Sequence, residues 1–137
     1  MTNDRNDWNT KVIEEFRANG GKVGQFGSMP LLLLHHTGAK SGKAYVNPLM
    51  YQRVCASYAI FASKGGHTEH PAWYANVLAH PDTQIEVGTE TIGVTAREAQ
   101  GEERDRIWER QKETVPQFAE YEEKSGRTIP VIVLEPR

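Results

Sequence analysis

Apolar residues at Trp8, Val12, Ile13 and Phe16 recur at helical spacing, with Asp7, Lys11, Glu14, Glu15 and Arg17 between them. This is the narrow stripe of an amphipathic helix. Asn6 or Asp7 is placed to cap it, and Asn19-Gly20-Gly21 to stop it. After Pro30 the periodicity changes. Leu31 to His36 is a short, mostly apolar run that ends at Thr37-Gly38, as a buried strand would. Gly38-Ala39-Lys40-Ser41-Gly42-Lys43 then reads as a tight turn. Tyr45 to Arg53 alternates loosely as a second strand, which Pro48 confines to an edge or a bulge. Ser57 to Ser63 makes a third strand through Tyr58, Ile60 and Phe61.

Lys64 to His70 is a glycine-bearing loop, and Pro71 fits the first position of a helix that ends at His80-Pro81. Thr83 to Val87 and Thr91 to Ala96 flank Gly88-Thr89 as a hairpin. Glu102 to Thr114 is a charged helix with Ile107, Trp108, Gln111 and Val115 on one side. Pro116 breaks it, a short Phe118–Ser125 helix follows, and Val131 to Leu134 is a last apolar strand. About six mainly antiparallel strands, with helices inserted and at the N-terminus, predict an α+β domain around a small barrel. One domain is expected over 1–137, with the N-terminal helix in 1–20 and the barrel in 30–137.

Composition narrows the class. A chain of 137 residues suits one domain with a real core. Sixteen Lys and Arg against 18 Asp and Glu leave a charge of -2, so no basic excess points to nucleic acid. The apolar run at Leu31–Leu34 is far too short to span a membrane, and the acidic residues among 1–20 argue against a secretory signal. The single cysteine, Cys55, fits a reducing compartment. The expectation is a cytoplasmic protein, with the N-terminal helix as its one route to a membrane surface.

The candidate chemistry is sparse. The Gly38–Lys43 turn resembles a phosphate loop but fails as one, because Ala44 stands where Ser or Thr would hold magnesium. Two lysines and several N–H groups remain, able to hold an anionic tail or simply to face solvent. Ala62-Ser63-Lys64-Gly65-Gly66 ends a strand in small residues beside a cation, which lets a flat ligand approach the backbone. The same residues also suit an ordinary strand end. Trp73 and Tyr74 are core residues or an apolar wall for a ring, with Asn76 beside them. No metal site is expected: His35 and His36 point to opposite faces of a strand, and His67, Glu69 and His70 lack supporting ligands. Cys55 has no histidine near it in sequence to activate it, and the carboxylates of 102–123 read as a solvated face.

Five segments in series carry a resemblance: Leu32 to Gly42, Val46-Asn47-Pro48-Leu49, Ala62 to Gly66, His70 to Asn76, and Arg127 to Pro136. Together they make the chain similar to the deazaflavin-dependent nitroreductase family of split β-barrel oxidoreductases. The resemblance implies a split barrel binding coenzyme F420, a deazaflavin with a phosphate and an oligoglutamate tail. It implies that Lys40, Ser41 and Gly42 hold the phosphate end, and that Val46, Asn47 and Pro48 line the ribityl path. Ala62, Ser63, Lys64 and Gly65 would lie along the ring, and Ala72, Trp73, Tyr74 and Asn76 would close the other side. Ser63 and Tyr121 are the implied catalytic groups, Tyr121 as proton donor. The implied reaction moves a hydride from C5 of the reduced cofactor to an enone, unsaturated lactone, quinone or nitroaromatic.

The chain also departs from the family pattern. Ala39 and Tyr45 stand where many relatives carry Arg, so Lys43, Arg53 or Lys22 would have to compensate. Val115, Phe118 and Tyr121 replace a tyrosine-rich segment found in relatives active on nitroimidazoles, which weighs against nitro reduction. The alternatives are an FMN-binding split barrel, a non-catalytic carrier of F420 or an apolar ligand, and a partner-binding module resting on the N-terminal helix. A homodimer is compatible with the resemblance, although no residue of the chain requires one.

Overall fold

A computed structural model describes residues 4–24, 30–63, 70–126 and 128–137. Helix α1 covers Asp4–Ala18, so Asn6 and Asp7 lie inside it instead of capping it. Gly20, at φ 63°, ends it as expected. Strands follow at Leu31–Thr37 (β1), Ala44–Met50 (β2), Gln52–Val54 (β3) and Ser57–Phe61 (β4). Helix α2 (Ala72–Ala79) leads into the hairpin β5 (Asp82–Val87) and β6 (Glu90–Glu98). Helices α3 (Gly101–Thr114) and α4 (Gln117–Ser125) precede β7 (Val131–Pro136). Pro71 is the N-cap of α2, one position earlier than expected.

The seven strands form one antiparallel sheet in the order β2-β1-β5-β6-β7-β4-β3. The single strand expected over Tyr45–Arg53 is therefore two strands, divided at Tyr51 and placed at opposite edges of the sheet. Adjacent Cα atoms are about 3.8 Å apart, so Met50 and Gln52 lie within about 7.6 Å of each other. The two edges must meet, and the sheet curls into a barrel. Tyr51 marks the seam, its N–H donating to the Pro30 carbonyl at 3.2 Å. Pro48 sits in the edge strand β2 opposite Leu33, where a missing donor is tolerated.

Alternation sorts the side chains into three clusters. Leu32 and Leu34 face the barrel interior with Tyr58, Ile60, Ala62, Val94, Ile132 and Leu134. Leu31 and Leu33 face outward onto Val12, Phe16 and Val23. Burial on both faces is why β1 reads as an unbroken leucine run. Likewise Ala59, Phe61, Val131 and Val133 face outward onto Ile107, Trp108 and Phe118 of α3 and α4. Val12 and Phe16 of the α1 stripe thus pack, buried, on its own barrel. The side chain of Trp8 lies outside the described part. Among the described residues no helix is long and apolar enough to cross a membrane.

Strand direction gives the barrel two distinct ends. The Gly38–Lys43 turn, the end of β4, the start of β5 and the end of β6 share one end, which α2 covers through Trp73 and Val77. The turns at Cys55 and at Gly88-Thr89 share the other. Gly21 meets that far end closely: a Cβ on it would lie 2.8 Å from the Gly88 Cα, so a side chain is excluded there.

Helix α1 is also pinned electrostatically. Arg17 makes paired bonds to Glu86 (3.1 and 2.7 Å), and the His35 ring lies 2.7 Å from the same carboxylate. The bond from Arg17 holds the Glu86 carboxyl below its ordinary value of 4.5, against the opposing effect of burial. A carboxylate with a lowered native pKa stabilises above its unfolded value, and that contribution fades as pH falls through the native one. Glu86→Gln is therefore expected to cost about 1 kcal/mol at neutral pH, since Arg17 is half exposed and screened. Urea melts of both proteins should converge below the ordinary glutamate range; a gap that persists in acid would remove the ion pair from the explanation.

Candidate functional site at the covered end of the barrel

The β1–β2 turn is built largely from its own hydrogen bonds. Gly38 N–H donates to the Lys43 carbonyl (2.8 Å), Gly42 N–H to the Gly38 carbonyl (3.0 Å), and Lys43 N–H to Ser41 Oγ (3.2 Å). Gly42 supplies the left-handed residue, at φ 71°. Ala39 N–H donates to Asn76 Oδ1 at 2.9 Å, tying the turn to α2. Most N–H groups of the turn are thus committed, and its capacity for an anion rests on the exposed Lys40 and Lys43 more than on a backbone nest.

Asn76 continues the connection inward. Its Nδ2 lies 3.0 Å from His36 Nδ1, and His36 Nε2 lies 2.6 Å from Asn47 Oδ1. Turn, α2, β1 and β2 are thus linked through Ala39, Asn76, His36 and Asn47. Tyr45 lies over His36 with ring centroids 5.5 Å apart and planes 21° apart. His35 and His36 point to opposite faces as expected, His35 to Glu86 and His36 to the two asparagines. His36 was not among the sequence-derived site residues. Its only signal was its place at a strand end before a tight turn.

The remaining candidates fall around the same end. Val46 and Pro48 flank Asn47 on β2, Val46 packing toward the α1 side. Ala62 is fully buried, and Ser63 is half-buried beside it. Lys64, Gly65, Gly66, His67 and Glu69 lie outside the described residues. Trp73 is 4% exposed and belongs to the interior cluster, so its indole backs the wall; Ala72 is exposed and Tyr74 half-buried. The Tyr74 hydroxyl donates to Glu98, and burial together with that bond pushes its pKa up to about 12. Tyr121 lies in the α3–α4 layer, edge-on to Phe118 at 5.3 Å, and burial raises its pKa. It is on the outer face of β4 and β7, whereas Trp73 and Val77 are on the inner face. Tyr74 of α2 reaches the end of β6 through Glu98, next to Ala99 of the outer cluster.

The proposed substitutes for the absent arginines separate clearly. Arg53 is at the far end of the barrel, bonded to the Cys55 carbonyl (3.1 Å) and the Tyr58 hydroxyl (2.9 Å). Lys22 follows Gly21, which meets Gly88 at that same end. A seven-residue strand, about 20 Å, separates both from the turn. Only Lys43 is placed to compensate. A shallow cleft of about 270 Å³ next to the turn is lined by His35, His36, Tyr45, Gln84 and Arg137 among others. Among the described residues no group of three His, Cys, Asp or Glu side chains is placed to hold a metal.

The donor set fits an anionic, partly apolar ligand. Lysine ammoniums sit at the rim, uncharged amides and an alanine–serine strand end lie inward, and no described carboxylate lines the turn. Comparison with known proteins agrees. The family described as F420H(2)-dependent quinone reductase matches residues 8–136. An F420H(2)-dependent quinone reductase of Mycobacterium tuberculosis is 39% identical over 127 residues, covering 89% of this chain and 85% of the relative. A solved F420-H2 dependent reductase superposes with a TM-score of 0.71 at 45% identity, covering 77% of this chain and 94% of that one. A structure described as a domain-swapped dimer gives 0.72 at 39% identity, covering 96% and 99%. The haem storage protein HutZ of Vibrio cholerae shares the fold alone, with a TM-score of 0.61 at 15% identity and coverage of 91% and 87%. The architecture is the split barrel of flavin and deazaflavin oxidoreductases, and reduced F420 takes precedence over FMN as the cofactor. The chain belongs to the F420H(2)-dependent quinone reductase family and is an F420-dependent reductase.

Proposed function

We propose that this reductase binds F420 across the α2-covered end of the barrel and reduces small electrophilic ring compounds, quinones first, with enones and unsaturated lactones as further substrates. The observation that carries the reading is the Ala39–Asn76 bond, which fastens the lysine-bearing turn to the helix closing the barrel. Reduced F420, when bound, supplies a hydride from C5. The residues then have separate tasks. Lys40 and Lys43 hold the anionic end of the cofactor, and Ser41 and Gly42 shape the turn that presents them. Asn47 lines the path inward, with Val46 and Pro48 beside it on β2, while Ala62 and Ser63 leave room for the flat ring. Ala72, Trp73, Tyr74 and Asn76 close the other side and exclude water, which favours hydride over side reactions.

Hydride addition to a quinone or enone leaves negative charge on the substrate oxygen, and a proton must follow. Tyr121 is the candidate donor: its raised pKa keeps the phenol protonated at neutral pH, and Ser63 can donate a second bond to the same oxygen. Nitro reduction ranks last, because the segment before β7 offers Tyr121 alone as a phenol. The relative that forms a domain-swapped dimer supports a homodimer here as well.

Lys40→Ala tests the placement of the anionic end. Loss of one charge-assisted contact on an exposed turn is expected to weaken F420 binding by about 1–3 kcal/mol. Arg53→Ala, at the far end, should leave the affinity unchanged. Equal losses from the two variants, read by fluorescence titration, would remove the turn from the site.

A further inference from the structure

The hydrogen bonds around His36 can be assigned from one backbone group. Ala39 N–H can only donate, so the Asn76 atom facing it is the carbonyl oxygen. The Asn76 amide nitrogen must then face His36, and it can only donate. His36 Nδ1 is therefore an unprotonated acceptor, and the neutral ring carries its proton on Nε2, donating to Asn47 Oδ1. A second proton on His36 has nowhere to go. It would oppose the Asn76 N–H, and flipping the amide would turn the same conflict onto Ala39 N–H. Both His36 and Asn76 are buried, so a broken bond is not made good by water.

We infer that His36 is a positioning residue for the cofactor-binding turn: its neutral, Nε2-protonated ring holds α2, through Asn76, in the orientation that fixes Ala39 and the lysines beyond it. This rests on the function proposed above. Protonation of His36 forces one bond of the chain Ala39–Asn76–His36–Asn47 to break, and the turn loses its fixed relation to α2. The groups facing the ring are Asn76 from α2, Asn47 and the stacked Tyr45 from β2, and Arg137 across the shared cleft, while the adjacent His35, on the opposite face of β1, acts on it through charge alone. Among the described residues no carboxylate faces it. Burial lowers the His36 pKa below 6.5, which the bond to Asn47 opposes and His35 reinforces. The neutral form thus holds at neutral pH, and protonation takes a pH below the ordinary histidine range.

The test compares wild type with Asn76→Asp. In the variant the new carboxylate accepts from both Ala39 N–H and a proton on His36 Nδ1, so the protonated ring is satisfied. F420 affinity of the wild type should fall about tenfold from pH 7.5 to the pH at which the imidazole signals show His36 protonated, the worth of one buried hydrogen bond. The variant, weaker overall near an anionic ligand, should hold its affinity over the same range. Titration of the cofactor itself is common to both and cancels in the comparison. A second readout needs no cofactor: nitrogen-15 NMR of the imidazole should show the Nε2–H tautomer at pH 7.5, and the Ala39 amide shift should follow the His36 titration. Parallel affinity profiles, tighter wild-type binding in acid, the Nδ1–H tautomer, or an Ala39 amide indifferent to His36 would each overturn the inference. Failure of F420 to bind at pH 7.5 would instead overturn the proposed function, and the cofactor-free NMR would still decide the role of His36.

Discussion

Ser63→Trp should abolish measurable F420 binding while leaving the thermal midpoint close to that of the wild type. Ser63 follows the last pair of β4, Phe61 with Val131, and is half-buried at the covered end of the barrel. A flat ring resting on this strand end needs small neighbours, and an indole would occupy that space. Ser63 is two residues past the last β4–β7 pair and belongs to neither buried cluster, so the larger side chain is not set into the core. Ser63→Ala is the companion: it keeps the space open and should retain binding, with a rate loss if the hydroxyl donates to the substrate oxygen. Isothermal titration and a melt on the same samples read both properties. Retained binding by the tryptophan variant would place the ring elsewhere.

Leu34→Ala is expected to destabilise the domain by about 3–5 kcal/mol, through lost transfer energy and the cavity left behind. Leu34 has no exposed surface and packs inside the barrel with Ile60, Ile85 and Ile132. A domain stable by about 5–15 kcal/mol would lose a large part of its margin. The barrel cannot easily collapse onto the space, because the covalent link through Tyr51 and the continuous ladder hold its girth. Urea unfolding measures the difference. A cost below about 1 kcal/mol would contradict a barrel whose interior is the principal core.

Both variants test a fold whose outline could be read along the chain, because its strands and turns are locally encoded. The leucine run, the Gly88-Thr89 hairpin and the helix broken at Pro116 are each signalled by neighbouring residues. The division at Tyr51 was not legible. Its cause is long-range, since β2 and β3 belong to opposite sheet edges and only closure of the barrel separates them. Asn76 and Asn47 could be singled out by resemblance, but not the histidine that joins them. Residues 36, 47 and 76 meet only through strand register and the seating of α2, which no local pattern records. The stripe of α1 pointed to a packed helix from the start, and its burial against β1 bears that out.

The most direct test of the account is fluorescence titration of the purified protein with F420 and, in parallel, with FMN, each also run on Lys40→Ala. The account predicts saturable binding of F420 that weakens in the variant, and no saturable binding of FMN. Saturation by FMN with no response to F420, or F420 binding indifferent to Lys40, would contradict it.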